Sequence, residues 1–102
     1  MSLEYAAEKF GTAVAILATS VGRIQERLES AYLESIIRVE RSDIPPDLLS
    51  DYDYIVTHCQ WTDQSEPGPR PDDEEARTLA NKIYDLSHSL DLELEEKQGR
   101  SL

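Results

Sequence analysis

The residue types best suited to chemistry are one cysteine and two histidines. His58 and Cys59 are adjacent, and His88 lies much further along the chain. Zinc prefers such ligands, but adjacent helical residues point about 100° apart, and no Cys-x-x-Cys or His-x-x-x-His pair completes a set. The thiol also falls on an apolar stripe of an acidic protein, which is typical of a buried, inert cysteine. We therefore expect neither a metal site nor a cysteine nucleophile.

Other reactive patterns are equally incomplete. Asp51 and Asp53 match the first two acids of a calcium loop, but 54–56 read Tyr-Ile-Val where that loop needs an oxygen ligand and a glycine. Gly11 and Gly22 are isolated, so no glycine-rich phosphate loop is present. The sequence predicts no catalytic residue and no cofactor. Only a deep pocket that combines His58 or His88 with acids would favour an enzyme.

The charge of the chain is strongly acidic and unevenly distributed. The formal net charge is −11, and residues 40–102 carry sixteen acids and six bases, against five acids and four bases in 1–39. Such a surface repels nucleic acid and anionic lipid, so we expect neither to bind directly. It could instead mimic nucleic acid and inhibit or regulate a DNA- or RNA-binding protein. The predicted acidic binding face consists of Asp47, Asp51, Asp72, Asp73, Glu74 and Glu75.

The basic residues of the first half form one loose cluster. Lys9, Arg23, Arg27 and Arg38 are too few to bind nucleic acid against the acidity of the rest. We expect them to form ion pairs with glutamates at helical spacing, such as Arg23 with Glu26. Their predicted role is to keep a helix surface polar.

The sequence shows no pattern of a membrane span, a signal peptide or a disulfide, and these absences bear on the cellular compartment. The apolar stretch 13–18 is much shorter than the roughly 20 residues of a membrane span, and no basic cluster precedes it. Cys59 is the single cysteine, so an intramolecular disulfide cannot form. These features predict a cytoplasmic protein without a membrane segment.

Apolar spacing predicts the elements that carry these residues. An apolar stripe at alternating spacings of three and four runs from Leu3 to Ala31. Thr19, Ser20 and Gly22 interrupt it with poor helix formers, so we place helices at 3–19 and 22–39, which could also merge into one long helix.

The second half predicts two further helices. Ile-Pro-Pro at 44–46 offers a proline for the first turn of a helix at 46–60. A proline-rich, exposed linker follows at 62–71, and acids at 72–75 favour the start of a helix at 72–94. The predicted apolar stripe of this helix consists of Ala76, Leu79, Ile83, Leu86 and Leu90. Residues 1–97 form one predicted domain, with a flexible tail at 98–102.

Four amphipathic helices with short connections predict a small antiparallel all-α bundle. The stripes contain many alanines, so the core of a monomer would be thin for its length. We predict a non-enzymatic interaction protein that forms a homo-oligomer or binds a protein partner. The candidate interface residues are Phe10, Val14, Leu17, Leu33 and Ile37.

A spaced pattern runs through most of the chain. It comprises Ala7 to Phe10, Ala13-Val14, Leu17 to Thr19, Gly22, Arg27-Leu28, Ile44 to Leu48, Leu79 to Ile83 and Asp85-Leu86. In this order, the pattern resembles a group of uncharacterised small bacterial helical proteins that have no established activity. Members of that group have a Gly-Pro-Gly break where this chain has Ser-Val-Gly at 20–22. The resemblance implies a bacterial origin and a helical fold, and it implies no site residue.

Overall fold

The computed structural model describes residues 2–63, 65 and 68–99, of which only the backbone is considered at 98–99. This part of the chain contains four α-helices and no strand, which confirms the predicted small all-α bundle. The helices are α1 (Leu3–Thr19), α2 (Ile24–Glu34), α3 (Leu49–His58) and α4 (Asp73–Gly99). Short 3₁₀ turns occupy Ile36–Arg38, Arg41–Asp43, Pro46–Leu48 and Gln60–Thr62.

A tight turn joins α1 to α2, so the two helices do not merge. Gly22 has a φ of 110°, in the left-handed region that favours glycine. Beyond this turn, the Arg27 Nη1 donates a hydrogen bond of 2.9 Å to the Leu17 carbonyl. The start of α2 therefore lies beside the end of α1, and the two helices are antiparallel.

The direction of α4 follows from contacts at its two ends. The Gln25 Nε2 donates to Asp73 Oδ1 at 2.9 Å, so α2 and α4 begin at the same end of the bundle. Asp47, just before α3, shares a surface depression with Glu93 near the end of α4, so α3 runs against α4. Neighbouring helices in the chain therefore alternate in direction, as in an up-down-up-down bundle.

The core is formed by the inner faces of the helices. Ser35 is fully buried, and its Oγ donates to the Lys9 carbonyl at 2.7 Å, which joins α2 to α1. The buried Tyr52 hydroxyl donates to the Val39 carbonyl at 2.8 Å and fixes α3. The apolar residues of α4 that are at most 2% exposed are Ala76, Leu79, Ile83, Leu86 and Leu90. Those of α1 and α2 with no exposed surface are Ala6, Phe10, Ala13, Leu28 and Ala31.

The second helix ends earlier than the predicted bound at 39. It stops at Glu34, and Ile36–Arg38 continues as a 3₁₀ turn. Serine side chains compete with helical backbone bonding, and the buried Ser35 bonds across to α1 at this point. The tighter turn buries Ile36 and leaves Ile37 half exposed.

The predicted helix at 46–60 is also divided. Pro46–Leu48 forms a 3₁₀ turn, and the α-helical part runs only from Leu49 to His58. The predicted exposed linker at 62–71 starts inside another turn, where Trp61 is 8% and Thr62 3% exposed. Burial of the indole fixes the start of this segment against the bundle. Residues 64, 66 and 67 of the linker lie outside the described residues.

The fourth helix is longer than the predicted 72–94. It begins at Asp73 and extends to Gly99, because Glu95, Glu96 and Lys97 are good helix formers even without an apolar stripe. The predicted flexible tail at 98–102 is thus helical at 98–99, and residues 100–102 lie outside the described residues. None of the described helices, α4 included, combines the length and the apolar composition needed to cross a membrane.

Candidate interaction surface

The five predicted interface residues do not form one surface. Phe10 has no exposed surface, because the stripe of α1 packs against the other helices of the same chain, and this residue is not available to a partner. Val14 and Leu17 are half-buried on the same side of α1. Leu33 and Ile37 line a separate groove of about 380 Å³ beside the end of α3, where Ile37 is 51% exposed. The five residues therefore divide into the buried Phe10, the pair Val14 and Leu17 on α1, and the pair Leu33 and Ile37 at the groove.

Much of the predicted acidic face caps α4. The Glu75 N–H donates to Asp72 Oδ1 at 2.8 Å, and the Asp72 N–H donates to Glu75 Oε1 at 3.0 Å. Asp73 accepts the amide of Gln25 at 2.9 Å. Carboxylates at this position compensate the unpaired N–H groups and the positive end of a helix. These three acids therefore have a structural role.

The other three predicted acids are spread over the bundle. The Asp51 Oδ1 lies 3.7 Å from the Nζ of Lys82, which is in the middle of α4. Asp47 shares a depression with Glu93 near the far end of α4, and Glu74 is exposed in its first turn. At about 1.5 Å per residue, positions 74 and 93 lie roughly 28 Å apart along the helix. The six carboxylates extend over most of the bundle instead of forming one compact cluster.

The cysteine and the histidines are separated. Cys59 is 1% exposed, and burial raises the pKa of its thiol to about 12, so a thiolate does not form near neutral pH. The His58 Nδ1 donates to the Tyr54 carbonyl at 2.8 Å, with the two rings stacked at 3.9 Å. His88 lies on α4 beside Tyr84. In the part of the chain that the structure describes, no three His, Cys, Asp or Glu side chains are grouped to hold a metal.

A pocket of about 340 Å³ lies between the end of α3 and the start of α4. Its lining includes His58 and Glu75, the combination of histidine and acid that would favour an enzyme. The Nδ1 of the imidazole is bonded to a backbone carbonyl and the carboxylate to the Asp72 N–H, so these atoms are engaged in local structure. The Arg70 guanidinium lies 5.6 Å from the Trp61 ring on the same lining. The pocket has the volume of a small-molecule site but lacks a nucleophile hydrogen-bonded to a base.

The outer side of α4 carries an exposed apolar ridge. Tyr84, His88 and Leu92 follow one another at four-residue spacing, which places them on one face over about 12 Å. Tyr84 is 56% and Leu92 51% exposed, and the rings of Tyr84 and His88 are nearly parallel, at 4° and 6.4 Å. We call these three residues the outer ridge of α4.

Carboxylates border the outer ridge on both sides. Asp85, Asp91 and Glu95 are exposed on the same half of the helix. None of them is in an ion pair with a residue that the structure describes. The ridge is therefore an apolar strip between carboxylates that no described cation pairs with.

Comparisons of the chain with protein-family models, with curated proteins and with solved structures found no match. The resemblance to small bacterial helical proteins thus stays a prediction. The inner stripe of α4 was predicted from the sequence and the ridge opposite was not, although Tyr84 and Leu92 interrupt an otherwise polar face at a spacing of eight. Large apolar residues at that spacing on the polar side were the signal that could have revealed it.

Proposed function

We propose that the protein is a non-enzymatic interaction protein of the cytoplasm that binds a basic protein partner on the outer ridge of α4. The observation that carries this proposal is the exposed ridge of Tyr84, His88 and Leu92, bordered by carboxylates that pair with no described residue. The fully buried apolar residues of α4 lie on the opposite face of the helix, so burial in the core does not explain the apolar residues of the ridge. A partner that covers it would remove apolar surface from water.

The chemistry of the ridge defines the partner. Apolar side chains in the centre and carboxylates at the border complement a segment with an apolar row flanked by lysines or arginines. An amphipathic basic helix has this pattern when it packs along α4. The carboxylates would accelerate the encounter and the apolar contacts would slow dissociation.

Self-association is the second form of this proposal. The groove of Leu33 and Ile37 supports it, since Ile37 is half exposed there. A formal charge of −11 on each copy opposes it, because two copies repel one another. We therefore favour a basic partner over a homo-oligomer.

Mimicry of nucleic acid is the second candidate function. It is supported by the strong net negative charge and by Asp85, Asp91 and Glu95 on α4, which are in no ion pair with a residue that the structure describes. The capping role of Asp72 and Glu75 accounts for part of the acidic set without any partner. A nucleic-acid-binding partner would bind the carboxylates, and this binding would not require Tyr84 or Leu92.

Site-specific photo-crosslinking in cells of the native host tests the proposal. A photoreactive phenylalanine analogue replaces Leu92, and a matched control carries it at Thr12, which is exposed on α1. We expect one discrete adduct from position 92 and none from position 12. The mass of the adduct distinguishes a different protein from a second copy of 11.6 kDa.

Two further variants separate docking from mimicry. With the analogue at 92, Tyr84→Ser should abolish the adduct, and Asp85→Asn with Asp91→Asn should reduce it several-fold. An adduct that needs the carboxylates but not Tyr84 would favour mimicry. Equal labelling from positions 92 and 12, or none from 92, would disprove the ridge as a docking surface.

A further inference from the structure

Three arginines from two helices meet at one surface depression. Arg23 immediately precedes α2, Arg27 lies in its first turns, and Arg77 lies in the first turns of α4. Together with Ile24 and Asp73, they line a depression of about 410 Å³. The antiparallel turn at Gly22 and the shared starting end of α2 and α4 bring them together.

These arginines form no ion pair with any residue that the structure describes. The helical spacing predicted an ion pair between Arg23 and Glu26, but the Glu26 carboxylate instead accepts the Arg23 backbone N–H at 3.1 Å. None of the three guanidinium groups is in an ion pair with a residue in the described part of the chain. In a protein of charge −11, three such cations around one depression require an explanation.

One of the three side chains is held in place. The Arg27 Nη1 donates to the Leu17 carbonyl at 2.9 Å, which anchors the guanidinium on the end of α1. An anchored guanidinium loses little conformational entropy when it binds an anion. Arg23 and Arg77 are exposed and can close on a ligand from both helices.

We propose that this depression, the arginine site, binds a phosphate group. Its lining has three positive charges and one negative charge. Guanidinium groups match the oxygens of phosphate with paired, charge-assisted hydrogen bonds. A dianion with several acceptor oxygens can engage three guanidinium groups, which a single carboxylate can do less well.

The negative charge of Asp73 at the edge of the depression offers a test of the arginine site. The Asp73 Oδ1 accepts the buried Gln25 amide, so it is held at the edge of the depression, where its charge opposes an anion. Asp73→Asn keeps an oxygen for that hydrogen bond and removes the charge. The proposal expects phosphate to bind about threefold more tightly to this variant.

Titration with phosphate, followed by ¹⁵N chemical shifts, tests the arginine site directly. Inorganic phosphate and a capped Ala-phosphoserine-Ala tripeptide are the probes, with chloride at equal ionic strength as the reference. We expect saturable shifts confined to the amides near Arg23, Ile24, Asp73 and Arg77. Arg23→Gln and Arg77→Gln should each weaken binding about tenfold, since each removes a charge-assisted contact. Arg38→Gln, the same change at an exposed arginine outside the depression, should leave it unchanged.

The two probes distinguish the source of the phosphate. Equal affinity for both indicates that a free phosphate group is sufficient, and a much higher affinity for the tripeptide indicates a phosphorylated protein; both support the site. Shifts that do not saturate, or that persist in Arg23→Gln and Arg77→Gln, would overturn it. Arg38→Gln weakening the binding as much as these would overturn it as well. The proposal does not depend on the outer ridge, so Tyr84→Ser should retain the phosphate affinity.

Discussion

Both faces of α4 carry large apolar residues, but these residues have different roles on the two faces. On the inner face, Leu79, Ile83, Leu86 and Leu90 are at most 2% exposed and close the core against α1, α2 and α3. On the outer face, Tyr84 and Leu92 keep half or more of their surface in water. Burial, not residue type, therefore decides which apolar residues of this helix hold the fold together.

The difference separates what folding explains from what it leaves unexplained. Every apolar residue of the inner face is accounted for by the free energy of removing it from water. The outer ridge gains much less of this kind in the isolated chain, because Tyr84 and Leu92 keep half or more of their surface in water, and the exposed carboxylates beside it gain none. The features without a structural role are therefore the ones on which to look for a partner.

The largest expected effect tests the two faces against each other. Leu86→Ala should lower the free energy of unfolding by about 2–5 kcal/mol, because it leaves a cavity in the core. The same change at Leu92, on the same helix, should alter it by no more than about 0.5 kcal/mol. Urea unfolding followed by circular dichroism measures both. Similar losses at the two positions would show that the ridge is part of the fold.

The exclusion of water from the core can be tested through the effect of the Cys59 thiol on stability at alkaline pH. Burial raises the pKa of this thiol from 9.0 to about 12, so the unfolded chain releases the proton at a pH where the folded chain keeps it. Stability is therefore unaffected at neutral pH and falls as the pH rises above about 9. From the thiol alone, we expect the free energy of unfolding to be about 1.4 kcal/mol lower at pH 10 than at pH 7.

Cys59→Ala is the variant that isolates this effect. This substitution should remove the part of the alkaline loss of stability that comes from the thiol. The part that comes from Tyr32 and Tyr52 should remain at higher pH, because burial raises the pKa of both hydroxyl groups. Urea unfolding at pH 7, 9 and 10 gives the comparison. An identical pH dependence in both proteins would mean that water reaches the thiol.

The antiparallel packing of α1 and α2 depends on the turn at Gly22. With a φ of 110°, an alanine there is strained, and Gly22→Ala should cost about 1 kcal/mol of stability. Gly11 lies inside α1 with no atom near an added Cβ, so Gly11→Ala should gain up to about 1 kcal/mol from helix propensity. Thermal unfolding of the pair tests the turn. A loss at both positions would contradict the conformational argument.

The sequence predicted the elements better than their ends. The spacing of Leu79, Ile83, Leu86 and Leu90 identified the inner face of α4, because period 3.6 is a local property. The end of α2 could not be predicted, since it depends on the Ser35 hydroxyl bonding to a carbonyl of α1. Hydrogen bonds between distant segments leave no local pattern.

The candidate sites were predictable only in part, for the same reason. Phe10 was expected at an interface because an apolar stripe does not show whether its own chain or another one covers it. The arginine site joins residues of α2 with Arg77, and no spacing within one helix could have indicated that. The outer ridge lay within a single helix and could have been found.

The smallest expected effect concerns the charges at the two ends of α4. Glu74 lies in the first turn, where a negative charge is favourable, so Glu74→Gln should lower the free energy of unfolding by about 0.3 kcal/mol. Glu95 stands near the opposite end beside the outer ridge, where the helix dipole disfavours an acid, so Glu95→Gln should raise it by a similar amount. Urea unfolding at low and moderate salt measures both, and salt should reduce both differences. If Glu95→Gln destabilised the fold, its carboxylate would have a structural role, and the negative border of the ridge would no longer point to a basic partner. If it stabilises the fold, the acid is retained at a cost to folding, as expected of a residue that acts on something outside the chain.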